Sequence, residues 1–105
     1  MSDPVLILST APTRAEAETI AEALVAEKLA ACVQLSAIDS VYRWQGGVEH
    51  GAEVRIAIKT RATLIEAVEA RIKALHSYDV PEIVVVPIVG GSRDYLGWIA
   101  AETEH

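Results

Sequence analysis

The chain contains no phenylalanine and no asparagine, and only one cysteine (Cys32) and one methionine (Met1) among its 105 residues. A single cysteine excludes an intrachain disulfide framework and fits a reducing cytoplasm. Soft Cu(I) sites draw on paired Cys or Met ligands, so a tight copper-chaperone site within one chain is disfavoured. An interface that gathers Cys32 with a neighbour's histidine would still provide one. Long apolar runs are missing too, and nothing approaches the roughly 18 residues of a membrane span. Met1-Ser2-Asp3-Pro4 lacks the basic start of a signal peptide, and the run Val5 to Leu8 is too short for its apolar part. Positive charge is scarce: 9 Lys and Arg stand against 15 Asp and Glu, a net charge of -6. Such a balance argues against a nucleic-acid backbone or an anionic membrane as partner. No P-loop, GxGxxG, nucleophile elbow or metalloprotease motif occurs. The expectation is a soluble, cytoplasmic protein that is not an enzyme.

Apolar residues, by contrast, are plentiful. They make up 51% of the chain, with a mean hydropathy of +0.28. A chain of this length forms one domain, residues 1–105, and exposes much of its surface. So high an apolar content predicts burial against another copy.

Val5-Leu6-Ile7-Leu8 reads as a buried strand. Thr13, three residues before Glu16, has the spacing of a capping box, and Ala17, Ile20, Ala21, Leu24, Val25 and Leu29 follow on one helical face. Cys32 to Trp44 reads as a long strand whose alternation changes phase after Leu35, which predicts a bulge near Ser36-Ala37. Gly46-Gly47 supplies a turn, and Val48 to Lys59 returns as the partner strand. Thr63 and Glu66 repeat the capping-box spacing in a second helix with Leu64, Ile65, Val68, Ile72 and Leu75 on its apolar face. Ile83-Val84-Val85-Val86 reads as a buried strand, and Pro87 implies an edge or a bulge after it. Ser92 caps a last short helix bearing Tyr95, Leu96, Ile99 and Ala100. The order β-α-β-β-α-β plus a C-terminal helix predicts a ferredoxin-like α+β fold, two helices on one face of a four-stranded antiparallel sheet. Acylphosphatases share this topology but use an asparagine to position water, and RNA-recognition motifs share it but need basic charge. The missing asparagine and the acidic balance oppose both.

The polar side chains of greatest interest crowd one connector, His76-Ser77-Tyr78-Asp79-Val80-Pro81-Glu82-Ile83, where Pro81 stops the helix from continuing. Imidazole with carboxylates suits Cu(II), Zn(II) or Ni(II), so His76 is the leading imidazole ligand, with Glu82 close by. The same His76 can equally serve as a hydrogen-bonded helix end. Cys32 is a core thiol or a soft ligand. The candidate metal contacts are therefore Cys32, His76 and Glu82. His50 lies near the hairpin tip and His105 ends the chain. Tyr42 and Trp44 on the hairpin, with Tyr95, read as interface anchors. Lys59 and Arg61 close a strand where an anion could bind or where acidic neighbours could pair with them.

The connector resembles the His-Pro-Tyr-Glu-x-Pro-Glu-Ile element of the CutA family, the divalent-cation tolerance proteins. Leu29-Ala30-Ala31-Cys32-Val33, Tyr42-Arg43-Trp44-Gln45-Gly46, Ile58-Lys59-Thr60-Arg61 and Tyr95-Leu96-Gly97-Trp98-Ile99 match in the family's order and spacing. The resemblance covers nearly the whole chain. Ser77 stands where the family usually has proline, loosening the connector, and Asp79 where it usually has glutamate. The resemblance implies a non-catalytic homotrimer, similar in architecture to the PII signalling proteins, that binds copper or a similar divalent cation. It also implies an inter-subunit ligand cleft of Lys59, Tyr78, Glu82 and Trp98. Alternatives are a PII-like sensor, in which a small anion alters docking to a protein partner, and a purely structural trimer.

Overall fold

The computed structural model describes residues 3–105. Strands β1 (Pro4–Ala11), β2 (Cys32–Trp44), β3 (Gly47–Arg61) and β4 (Val84–Pro87) form one sheet in the order β2-β3-β1-β4, every neighbouring pair antiparallel. Helices α1 (Arg14–Ala26) and α2 (Ile65–Leu75) connect the strands, and α3 (Arg93–Glu102) follows β4. This is the expected ferredoxin-like arrangement with an added C-terminal helix. No helix among the described residues is long and apolar enough to cross a membrane.

Alternation on the strands and a 3.6-residue period on the helices meet in one core. Ile7, Ile56 and Ile58 of the sheet and Ile20, Leu24, Val68 and Ile72 of the helices are fully buried together. Residues of the other parity on β3, including Glu53, Arg55, Lys59 and Arg61, lie on the opposite face. There α3 is tied down. Lys59 Nζ donates to the Tyr95 hydroxyl at 3.1 Å and Arg61 Nη2 to the Thr103 carbonyl at 2.6 Å, while Ile99 is buried.

Thr13 caps α1, its Oγ1 accepting from the Glu16 N–H at 3.2 Å. Only this half of the capping box forms, because the Glu16 carboxylate is engaged elsewhere. Helix α2 opens through a 3-10 turn, Ala62–Leu64, with Leu64 in the N-cap position and no side-chain cap there. Thr63 thus lies in that opening turn and Glu66 in the first turn of α2.

The bulge expected near Ser36-Ala37 is absent. β2 and β3 pair residue for residue from Cys32↔Lys59 to Trp44↔Gly47. The change of phase has another cause: β1 ends at Ala11↔Val54, opposite Ala37. Before that point Val33 and Leu35 pack on the core. Beyond it, Ile38 through Trp44 and Gly47 through Glu53 continue as a two-stranded arm of seven residue pairs. The arm projects about 23 Å at the usual strand rise, so the apolar face is no longer dictated by the helices. The turn also shifts by one residue: Gln45 (φ 48) and Gly46 (φ 82) are its two central residues, and Gly47 already belongs to β3. Two left-handed residues give the primed turn whose twist suits a tight hairpin.

A second correction concerns β4. Ile83 precedes the strand, and all four residues Val84–Pro87 are exposed. Strand β4 is an edge, hydrogen-bonded only to β1. An apolar run therefore does not make it a buried strand in the isolated protomer.

Candidate functional site

The connector is shaped by what precedes it. His76 caps α2 with extended backbone (φ -84, ψ 142), so the helix stops there. Its side chain has no solvent exposure. Nε2 lies 2.6 Å from the Thr10 carbonyl oxygen, and Nδ1 is 3.0 Å from the Tyr78 N–H. A carbonyl only accepts and an amide N–H only donates, which assigns the proton to Nε2 and the lone pair to Nδ1. Both ring nitrogens are thus engaged, and the hydrogen-bonded helix-end role is the one seen in the protomer.

Glu16, one-fifth exposed, reaches across from α1. Its Oε2 accepts from the Ser77 N–H and from the Ser77 hydroxyl, each at 3.0 Å, and lies 3.4 Å from His76 Nδ1. Proline at position 77 could make neither bond. Ser77 therefore does not loosen the connector; it fastens it to α1.

Tyr78 stacks at a tilt on His76, ring centroids 4.8 Å apart, and its hydroxyl donates to Glu53 Oε2 at 3.3 Å. Burial, followed by the charge and hydrogen bond of Glu53, raises the Tyr78 phenol above its ordinary value, with Tyr42 and Glu16 adding to the effect.

Where β1 gives out, the connector and the arm enclose a cleft of about 600 Å³. Tyr42, Trp44 and Glu53 line it from the arm, and Tyr78, Asp79 and Glu82 from the connector. By register, Tyr42, Trp44 and Glu53 share the arm face that continues from Arg55. No Lys, Arg or His belongs to the described lining.

Lys59 and Trp98 stand elsewhere. The Lys59 ammonium lies 5.1 Å from the centre of the Tyr95 ring, and Tyr95 in turn lies 5.5 Å from Trp98. Lys59 shares a row with Leu6 and Cys32, whereas Thr10, beneath His76, shares one with Arg55. Four residues of strand separate the rows, about 13 Å. One protomer therefore does not gather Lys59, Tyr78, Glu82 and Trp98 into a single pocket. Nor does it bring half-buried Cys32 to His76. Among the described residues, no three His, Cys, Asp or Glu side chains are placed to share a metal ion.

Thr10, Glu16 and Glu53 were not among the candidate site residues read from the sequence. Glu16 carries a signal, the capping-box spacing, that points to a local role. The contacts of Thr10 and Glu53 with the connector join residues 66 and 25 positions apart, and no local pattern announces them.

Sheet order, capping and the projecting hairpin together define a ferredoxin-like α+β protein with a two-stranded arm and two open sheet edges. The family model described as CutA1 divalent ion tolerance protein matches residues 5–102. The divalent-cation tolerance protein CutA of Thermus thermophilus is 46% identical over 99 residues, 93% of this chain and 96% of its own length. The crystal structure of CutA from Xylella fastidiosa superposes with a TM-score of 0.94 at 43% identity, covering 98% of this chain and 100% of that one. A structure described as the periplasmic divalent cation tolerance protein CutA from Archaeoglobus fulgidus gives a TM-score of 0.94 at 40% identity, over 96% and 99% of the two chains. The chain belongs to the CutA family of divalent-cation tolerance proteins, whose members are non-catalytic.

Proposed function

We propose that the chain works as a homotrimer in divalent-cation tolerance, taking up copper or a similar divalent ion at a site built between protomers. The observation that carries this reading is the pair of unpaired outer edges, β2 and β4, beside an arm that leaves Val41, Tyr42, Trp44 and Val48 exposed. Open edges and exposed large apolar side chains are what a second copy covers. Tyr42, Trp44 and Tyr95 are the anchors of that contact. The names of the Thermus thermophilus and Archaeoglobus fulgidus relatives support the link to divalent cations.

Within one protomer Cys32, His76 and Glu82 do not fit a metal ion, and the ligands would have to come from different copies. Cys32 and Glu82 are the free members of that set; His76 would first give up the Tyr78 amide. With one cysteine and no paired thiol, the protein suits a reducing compartment such as the cytoplasm.

Native mass spectrometry during a Cu(II) titration, with Mg(II) as the hard-ion control, tests both parts. A trimer that binds copper in a fixed ratio, ignores Mg(II) and loses copper on Cys32→Ser supports the reading. A monomer, or copper uptake no more specific than Mg(II), refutes it.

A second reading is a PII-like sensor that holds a small anion in an inter-subunit cleft and docks a protein partner. It is favoured by the division of Lys59 and Trp98 from Tyr78 and Glu82, which only a neighbouring copy could reunite. Loss of small-anion binding in Lys59→Ala, with copper uptake intact, would select it.

A further inference from the structure

We propose that the connector is a strut for the arm: it stands where a third strand is missing and fixes the arm's inclination to the core. The need for one comes from strand lengths. β4 pairs with β1 only as far as Leu8, and β1 pairs with β3 only as far as Ala11↔Val54. The last residues of β1 therefore have no strand on the side of β4, and β3 has none on the side of β1 from Glu53 to the turn. The connector serves both places in turn. His76 Nε2 donates to the Thr10 carbonyl at 2.6 Å, beyond the reach of β4. Two residues on, the Tyr78 hydroxyl extends past the end of β1 to Glu53, at 3.3 Å, in the first residue pair of the arm, Ile38↔Glu53.

A strut needs a rigid footing, and the core end has one. Glu16 of α1 holds the Ser77 N–H and hydroxyl, and His76 is fixed through both ring nitrogens. The Tyr78 ring leans on that His76 ring at 4.8 Å, so the direction of its hydroxyl is set by a group that is itself held. Buried Pro81 stiffens the chain just beyond. The far end meets the arm at its base, where leverage is greatest. A tilt of about 10° there would carry the tip of an arm about 23 Å long through roughly 4 Å, and Tyr42 and Trp44 with it. A lone two-stranded ribbon is marginally stable, and a bond at its base shortens the unsupported length. An arm held in place also loses less freedom when a neighbour docks. That last consequence, unlike the strut itself, rests on the homotrimer reading.

Residue-resolved hydrogen exchange of the full chain tests the strut with Tyr78→Phe, which removes the hydroxyl and keeps the ring on His76. Exchange at Ile38 to Ser40 and Gly51 to Glu53 should quicken about three- to tenfold, the effect of losing one partly exposed hydrogen bond to a charged group. The core amides of Ile7, Ile56 and Ile58 should exchange as before, which shows that the variant is folded. In a Glu53→Ala background the same substitution should change nothing further. Unaltered exchange in the arm overturns the proposal, including the case in which a neighbouring copy alone protects it. So does a rise shared equally by the core, or an added effect of Tyr78→Phe in the Glu53→Ala chain. Native mass spectrometry at the same protomer concentration separates the two readings. A monomeric wild type refutes the homotrimer, while the exchange of the arm still decides the strut.

Discussion

Replacing Ser77 by proline, the residue usual in this family, should destabilise this chain, and the sign of the effect should depend on Glu16. The residue before it is suited to the change, since His76 is extended (ψ 142), as a residue before proline must be. What is lost is the pair of hydrogen bonds from the Ser77 N–H and Oγ–H to Glu16 Oε2, each 3.0 Å long. Bonds to a charged acceptor contribute about 1.5–3 kcal/mol each when buried, and the exposure of Ser77 reduces the two together to about that figure. Proline returns about 0.4–1 kcal/mol by restricting the unfolded chain. The net cost is then about 1–2 kcal/mol. In a Glu16→Ala background the bonds are already gone, and the same substitution should stabilise by about 0.4–1 kcal/mol. Urea unfolding of the four proteins of this cycle, at one fixed protomer concentration, measures the coupling. A coupling below about 0.5 kcal/mol would refute the argument, because independent sites add to within that margin.

Three further outcomes follow from other parts of the chain. Gly46 has φ 82, and a methyl group on its Cα would meet no atom within 4 Å. Gly46→Ala should therefore cost about 1 kcal/mol from backbone strain alone, read by urea unfolding. Ile56 is fully buried, and Ile56→Ala should cost about 2–5 kcal/mol in the same assay. Glu53→Gln should bring the Tyr78 phenol down toward its ordinary value, since it removes both the charge and the ionised acceptor. Phenolate absorbance, taken as the difference from Tyr78→Phe, measures that shift. The fold holds the Tyr78 proton more tightly than the unfolded chain does. Its contribution to stability is therefore complete below the unfolded pKa and is lost as pH rises through the raised folded value.

The helices and the strand order were legible because each element signals locally. Thr13 caps, Ala17, Ile20 and Leu24 recur at helical spacing, and Val54, Ile56 and Ile58 alternate, all as the structure bears out. The phase change after Leu35 was visible, but its cause was not. Nothing within β2 records that β1, two strands away, stops at Ala11. Val84-Val85-Val86 has the composition of an interior strand, and sequence alone does not distinguish burial by the same chain from burial by another. The site was legible by halves. Its connector residues are consecutive and conspicuous, whereas Thr10, Glu16 and Glu53 come from three other elements and reach it only through the fold.

The arm also sets the order in which this protein becomes rigid. Its seven residue pairs have no third strand beside them in the protomer, and a lone two-stranded ribbon is marginally stable in water. The sheet from Ala37 downward can fold on its own core, while the tip gains lasting order only when something lies against it. In the proposed homotrimer, folding of the tip and recruitment of a neighbour are then one event. On dilution of the proposed homotrimer the amide protons of Tyr42 to Val48 should exchange first, before the core opens, so the arm's exchange rate would gauge how fully that trimer is assembled.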